Sequence, residues 1–128
     1  MNLNQITVPV LNVPTAITFY KKLGLQLIVH TGDHYARFEC VDGLASFSLQ
    51  QVDKLPQGAG VKVYFECEDL DEKVRSLQLL GLVFEELPND KPWLWREAHL
   101  FDPYGNHIVL YYAGKNRRFP EWRLKNEK

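Results

Sequence analysis

Two stretches of the chain carry the same order of apolar and polar positions. ITVPVLNVPTAITFYKKLGLQL superposes without a gap on VYFECEDLDEKVRSLQLLGLVF when the sequence is shifted by 57 residues. Ile6, Val8 and Val10 fall on Val63, Phe65 and Cys67, Asn12 on Asp69, Ile17 on Val74, Leu23 on Leu80, and Gly24 on Gly81. In each copy the first segment alternates apolar and polar residues with period two, which predicts a half-buried strand. Asn12 and Asp69 are then predicted N-caps, because their side-chain oxygens can accept the unpaired amides of a first helical turn. Ile17, Tyr20 and Leu23, and Leu70, Val74, Leu77 and Leu80, recur at three- and four-residue spacing, so a helix with one apolar stripe should follow in each copy and end at Gly24 or Gly81. Three strand-like runs come after each glycine: 25–31, 34–41 and 44–50, then 82–87, 93–101 and 106–112. Turn signals at Thr31-Gly32-Asp33, Asp42-Gly43, Pro88-Asn89-Asp90 and Asp102-Pro103-Tyr104-Gly105-Asn106 separate them.

The order is therefore βαβββ twice, and neither unit is large enough to bury its own apolar face. An α+β fold is expected, with residues 1–113 as one domain of two modules, 1–53 and 61–113, joined by Lys54-Leu55-Pro56-Gln57-Gly58-Ala59-Gly60. Residues 114–128 form a C-terminal tail expected to pack on the domain or on a partner subunit. Length agrees: 128 residues at 45% hydrophobic fit one domain with a proper core.

Charge narrows the functions. Fifteen Lys and Arg against sixteen Asp and Glu give a net charge of -1, so no general basic surface exists to hold a nucleic acid. The tail does hold six Lys or Arg against two Asp or Glu, but Phe119 and Trp122 read as docking residues and the charges as solvated. The opening MNLNQITVPV has no basic n-region or continuous apolar h-region, and no run reaches the ~18 apolar residues of a membrane span, which predicts a cytoplasmic protein without a membrane partner. Cys40 and Cys67 sit in strand-like runs without Cys-x-x-Cys spacing and read as small core thiols.

The paired βαβββ order, with Phe19-Tyr20-Lys21-Lys22-Leu23-Gly24-Leu25 after the first helix, Glu68-Asp69-Leu70-Asp71 opening the second, and Asp102-Pro103-Tyr104-Gly105-Asn106 before the last strand, resembles the vicinal oxygen chelate superfamily over roughly residues 3 to 113. Glyoxalase I, the bleomycin and fosfomycin resistance proteins and the extradiol dioxygenases belong to it. The resemblance implies two modules forming a curled mixed sheet around a small-molecule cavity, and, in metal-using members, ligands on the first and last strands of each module. Those positions fall here on Gln5, Ser48, Lys62 and Val109. Gln5 can serve as a ligand; Ser48 is a poor one, Val109 has no lone pair, and Lys62 brings an ammonium toward the cation. No metal or other cofactor is expected.

Alternation supplies a separate reading of the cavity side. With Ile6, Val8 and Val10 turned to the helix, Gln5 and Thr7 face away from it, as do Lys62 and Tyr64, and likewise His107, Val109 and Tyr111. On the seventh strand Glu97, His99 and Phe101 share that side. His30, His34, His99 and His107 are candidate metal ligands by type, and Glu97 with His99 is a candidate acid and base pair, though spacing shows no third ligand. Trp93, Trp95 and Tyr104 read equally as sheet packing or as an aromatic wall. The expected function is binding of a small organic molecule, zwitterionic or acidic, through Gln5, Lys62, Tyr64, Glu97, His99 and Tyr111, in a homodimer and without metal. Lys62 is expected to be partly desolvated and to pair with an anion. The alternative is a lyase, isomerase or dioxygenase acting on a small carbonyl or aromatic substrate.

Overall fold

A computed structural model describes residues 1–125, and Asn126–Lys128 of the expected tail lie outside the described residues. Its elements follow the order β1 (Gln5–Val10), α1 (Val13–Leu23), β2 (Gln26–Thr31), β3 (Tyr35–Glu39), β4 (Ser46–Gln51), β5 (Lys62–Glu66), α2 (Leu70–Leu79), β6 (Glu86–Asp90), β7 (Arg96–Phe101), β8 (His107–Tyr112) and α3 (Lys115–Arg118). The βαβββ order is thus present twice. The strands form two four-stranded sheets, β1-β4-β3-β2 and β5-β8-β7-β6.

This corrects the expected curled mixed sheet around a cavity. Each strand finds its hydrogen-bonding partners inside its own module, with the fourth strand inserted beside the first, so there are two separate sheets that are not curled into one. In the first sheet β1 runs parallel to β4, β3 runs antiparallel to both β4 and β2, and β1 and β2 remain as edges.

The described residues divide into two compact units: 1–62 with 101–107, and 63–100 with 108–125. In the first unit α1 begins where Oδ1 of Asn12 accepts the amide of Thr15 at 2.8 Å, as the cap reading expects. It ends at Gly24, whose φ of 113° suits a residue without Cβ. Its apolar stripe, Val13, Ala16, Ile17, Tyr20 and Leu23, is buried, and so are Val8, Val10, Ala36, Phe38, Phe47 and Leu49 of the sheet. Tyr20 anchors this core, its ring 4.7 Å from that of Phe47.

The Asp-Pro-Tyr-Gly-Asn turn belongs to the same unit and is organised by Asp102, only 4% exposed. Oδ1 of Asp102 accepts the amides of Tyr104 at 2.8 Å and Asn106 at 2.9 Å. Oδ2 accepts the Tyr20 hydroxyl and Nδ2 of Asn106, and the same amide group reaches the Pro9 carbonyl.

In the second unit Leu70, Val74 and Leu77 of α2 are buried, as are Ala98, Leu100, Ile108 and Leu110. Four local expectations are corrected here. Asp69 stands at the N-cap of α2 without a side-chain hydrogen bond, and the helix is capped at its C-terminal end by Leu80, one residue before Gly81. The run 82–87 is not a strand as a whole: pairing starts at Glu86, where β6 meets β7 with an irregular register between Glu86 and Asn89. The run 93–101 becomes a turn followed by a strand from Arg96. No helix among the described residues is long and apolar enough to cross a membrane.

Candidate functional site

On β7 the apolar residues Ala98 and Leu100 alternate with Glu97 and His99, so the two polar side chains share the opposite face of the second sheet. Both are buried, at 3% and 8% exposure. A carboxylate this deeply placed needs hydrogen bonds to offset its lost hydration, and Glu97 has them. Nε1 of Trp93 donates to Oε2 at 2.7 Å, and Nε2 of His99 lies 2.8 Å from Oε1, the geometry of an N–H donated to a carboxylate.

His99 also faces a second acid. Register pairs it with Glu86 across β6 and β7, and Oε2 of Glu86 lies 3.6 Å from Nε2. Oε1 of Glu86 accepts Nδ2 of Asn89 at 2.7 Å and is ion-paired with Lys91. These bonds from Lys91 and Asn89 hold the Glu86 carboxyl below the usual glutamate range despite partial desolvation.

Beside the acids stands a three-ring aromatic group. Trp95 stacks on Tyr111 with ring centres 4.8 Å apart and an interplanar angle of 26°. Tyr64 meets both edge-on, at 5.9 Å from Trp95 and 5.4 Å from Tyr111. Burial, then the negative charge of Glu97, raises the Tyr64 phenol above the ordinary tyrosine range. Tyr111 is raised by burial first and by the charge of Glu66 second. The Trp95 indole donates to the Asn116 carbonyl at 3.2 Å, which ties the start of the tail to the site.

The turn that delivers both indoles is closed by Lys91 N–H to the Trp95 carbonyl at 2.7 Å and Leu94 N–H to the Lys91 carbonyl at 3.0 Å. Leu94, between the two tryptophans, has a φ of 68°, the left-handed region that disfavours a side chain.

The second unit thus brings together four residues expected from sequence: Tyr64, Glu97, His99 and Tyr111. Gln5 lies on the first sheet, where Oε1 accepts the Ser46 hydroxyl at 2.8 Å. Lys62 opens β5 with an exposed side chain, so the expectation of a partly desolvated ammonium is corrected: the first residue of a strand leaves a long side chain in water. Of the three aromatics taken together, Trp93 and Trp95 serve this face, whereas Tyr104 belongs to the Asp102 turn of the first unit. Phe119 and Trp122 remain 57% and 55% exposed, with Arg118 and Arg123 over the Phe119 ring.

Sequence reasoning missed Glu86, Asn89 and Lys91, because a strand placed at 82–87 gives no sign that Glu86 pairs with His99. It also missed Tyr35 and Arg37 of β3. These share a sheet face with Ser48, as the register Arg37 to Ser48 shows, and their alternation with Ala36 and Phe38 was a usable signal.

The donors at the superfamily's metal positions do not fit a divalent cation. The Ser48 hydroxyl is engaged with Tyr35 at 2.8 Å, Val109 has no lone pair, and Lys62 carries an ammonium. Among the described residues no three His, Cys, Asp or Glu side chains are grouped to hold a metal ion.

A repeated βαβββ order with two such sheets defines a class of paired-module α+β proteins. Residues 2–110 match the Glyoxalase/Bleomycin resistance protein/Dioxygenase superfamily, and the chain belongs to it. Solved structures share the fold at low identity. A glyoxalase/bleomycin resistance protein/dioxygenase from Nocardioides is 20% identical with a TM-score of 0.74, over 88% of this chain and 83% of that one. Lactoylglutathione lyase from Agrobacterium tumefaciens is 17% identical with a TM-score of 0.73, over 96% and 97%. TioX from Micromonospora sp. ML1 is 16% identical with a TM-score of 0.71, over 88% and 99%. No curated protein sequence gives a significant match.

Proposed function

We propose that this superfamily member binds a small, flat organic molecule on the face of its second sheet without a metal ion. The observation that carries the proposal is the buried Glu97 carboxylate, held by Trp93 and His99, beside the Tyr64, Trp95 and Tyr111 rings. Aromatic faces give a flat ligand its contact area, and an acidic group among them selects a cationic or hydrogen-donating part. Tyr64, Glu97, His99 and Tyr111 are its proposed contacts; Gln5 lies on the first sheet and Lys62 is exposed at the start of β5. The test is native mass spectrometry of the purified protein for a retained molecule, followed by titration of tryptophan fluorescence with aromatic amines. A saturable change that Glu97→Gln weakens about ten-fold supports the reading. Amines that leave the fluorescence unchanged, together with the absence of a retained molecule, overturn it.

The spacing of His99 and Glu97 favours one second reading, a lyase or isomerase. A carboxylate 2.8 Å from Nε2 of His99 orients the imidazole, and a paired carboxylate and imidazole are the groups that acid–base chemistry uses. The name of the Agrobacterium lyase is compatible with such chemistry. Exchange of a carbonyl substrate's α-protons in heavy water, lost in His99→Gln, distinguishes catalysis from binding alone.

We also propose a homodimer, since the exposed Phe119 and Trp122 offer apolar area at the tail. Light scattering that gives the monomer mass at micromolar concentration overturns it.

A further inference from the structure

The first sheet carries a polar face of its own, turned from α1. Ser48 is fully buried, yet it is a polar residue on a strand where Phe47 and Leu49 already supply the core. Its hydroxyl lies 2.8 Å from that of Tyr35. Arg37 donates Nε to the same Tyr35 oxygen at 2.9 Å, and its guanidinium carbon stands 5.4 Å from the Tyr35 ring centre. Arg37 therefore lies over the phenol and beside the hydroxyl pair, with Gln5 and Ser46 bonded to each other along the same face.

The charge balance of this group is incomplete. Arg37 is half-buried, and among the described residues no carboxylate reaches ion-pair distance of it. Among the described residues its side chain makes one hydrogen bond, from Nε. The two terminal nitrogens remain as a planar fork of donors, the geometry that matches two oxygens of a carboxylate or phosphate. A half-buried cation elsewhere in this chain is treated differently: Arg96 is paired with both Asp71 and Asp90.

We propose that Arg37, Tyr35 and Ser48 form a binding site for a small oxyanion, a carboxylate or a phosphate group, on the first sheet. Arg37 supplies the charge and the fork, while the Tyr35 hydroxyl, held by Ser48 and bonded to Nε, fixes its orientation. Burial works against ionising Tyr35, but the hydrogen bonds from Ser48 and Arg37 and the Arg37 charge outweigh it, so the phenol lies below the usual tyrosine range. That direction is what a neighbouring cation imposes on an acid.

The test follows the Arg37 side-chain nitrogens by NMR while sodium benzoate and inorganic phosphate are titrated separately into the full-length protein. The expected result is a saturable shift of the Arg37 signals in at least one arm, and the arm that saturates identifies carboxylate or phosphate as the group held. Arg37→Met should weaken that binding about ten-fold or more, and Arg37→Lys, which keeps charge but loses the fork, should weaken it less. If Arg37→Met fails to fold, the wild-type titration and Arg37→Lys decide. Arg37 signals unmoved by both anions, or binding unchanged in Arg37→Met, overturn the proposal. The Trp95 fluorescence response reports the second sheet independently, so failure at one site is distinguishable from failure at the other.

Discussion

The hydroxyl of Tyr20 donates a 2.6 Å hydrogen bond to Oδ2 of Asp102, joining two buried residues 82 positions apart. This bond fastens a turn encoded late in the chain to the helix encoded first. Burial, followed by the Asp102 charge, drives the Tyr20 phenol far above its ordinary range, so it stays a donor at any pH the fold survives. Tyr20→Phe keeps the ring packing but leaves Asp102 short of one donor. It should cost about 2 kcal/mol, the worth of a hydrogen bond to a charged group, read from urea unfolding at unchanged m-value. A loss below about 0.5 kcal/mol would show that the remaining donors to Asp102 suffice.

Trp93 and Glu97 offer a comparable test in the second unit. Trp93→Phe removes an indole N–H from a carboxylate only 3% exposed, and should destabilise by about 1–3 kcal/mol because the acceptor stays buried. Trp93 itself is 44% exposed, so lost packing accounts for no more than the lower part of this range. Thermal unfolding of the variant at neutral pH is the measurement.

Glu86 links stability to acid. Its folded pKa is below the unfolded value, so its contribution is complete above the ordinary glutamate range and is lost as pH falls through the depressed folded value. The side chain is 37% exposed, which screens the pair and keeps the effect below about 1 kcal/mol. Melting temperatures of wild type and Glu86→Gln should differ near neutral pH and converge in strong acid. A gap that persists there would assign the effect to something other than titration.

The phenols should ionise in an order that the two sheets dictate. Tyr35 is lowered, whereas Tyr64 and Tyr111 are raised. An ultraviolet titration of the folded protein should lose an early component in Tyr35→Phe and a late one in Tyr64→Phe. For Tyr64 and Tyr111 the unfolded phenol ionises first, so stability falls as pH climbs from the ordinary tyrosine value toward the raised folded ones. For Tyr35 the sign reverses: its contribution is full above the ordinary value and is lost as pH falls through the lowered folded one.

What was legible in the sequence was local or periodic. The repeat predicted two βαβββ modules, and Asn12, Gly24 and the α1 stripe lie where spacing and capping chemistry require. Glu97 and His99 were placed on one face by alternation alone. Partner choice between distant segments was not legible. Two separate sheets differ from one curled sheet only in which backbone amides meet, and the hydrophobic pattern is the same for both. Leu82 is buried without lying in a strand, so an apolar run at 82–87 misplaced β6. Tyr20 read as one more core aromatic, because nothing near it in sequence signals a carboxylate 82 residues on.

Leu94 carries a consequence for how this chain can vary. Its left-handed backbone, a strain of about 1 kcal/mol or more for a residue with a side chain, sits between the indole that bonds Glu97 and the indole that stacks on Tyr111. A change of backbone at this one position turns both rings at once, so hydrogen bonding to the acid and stacking on the phenol are inherited together. Glycine at position 94 would relieve that strain and a β-branched residue would add to it, so a residue whose hydrocarbon side chain has no polar chemistry to offer still bears on how both rings are set.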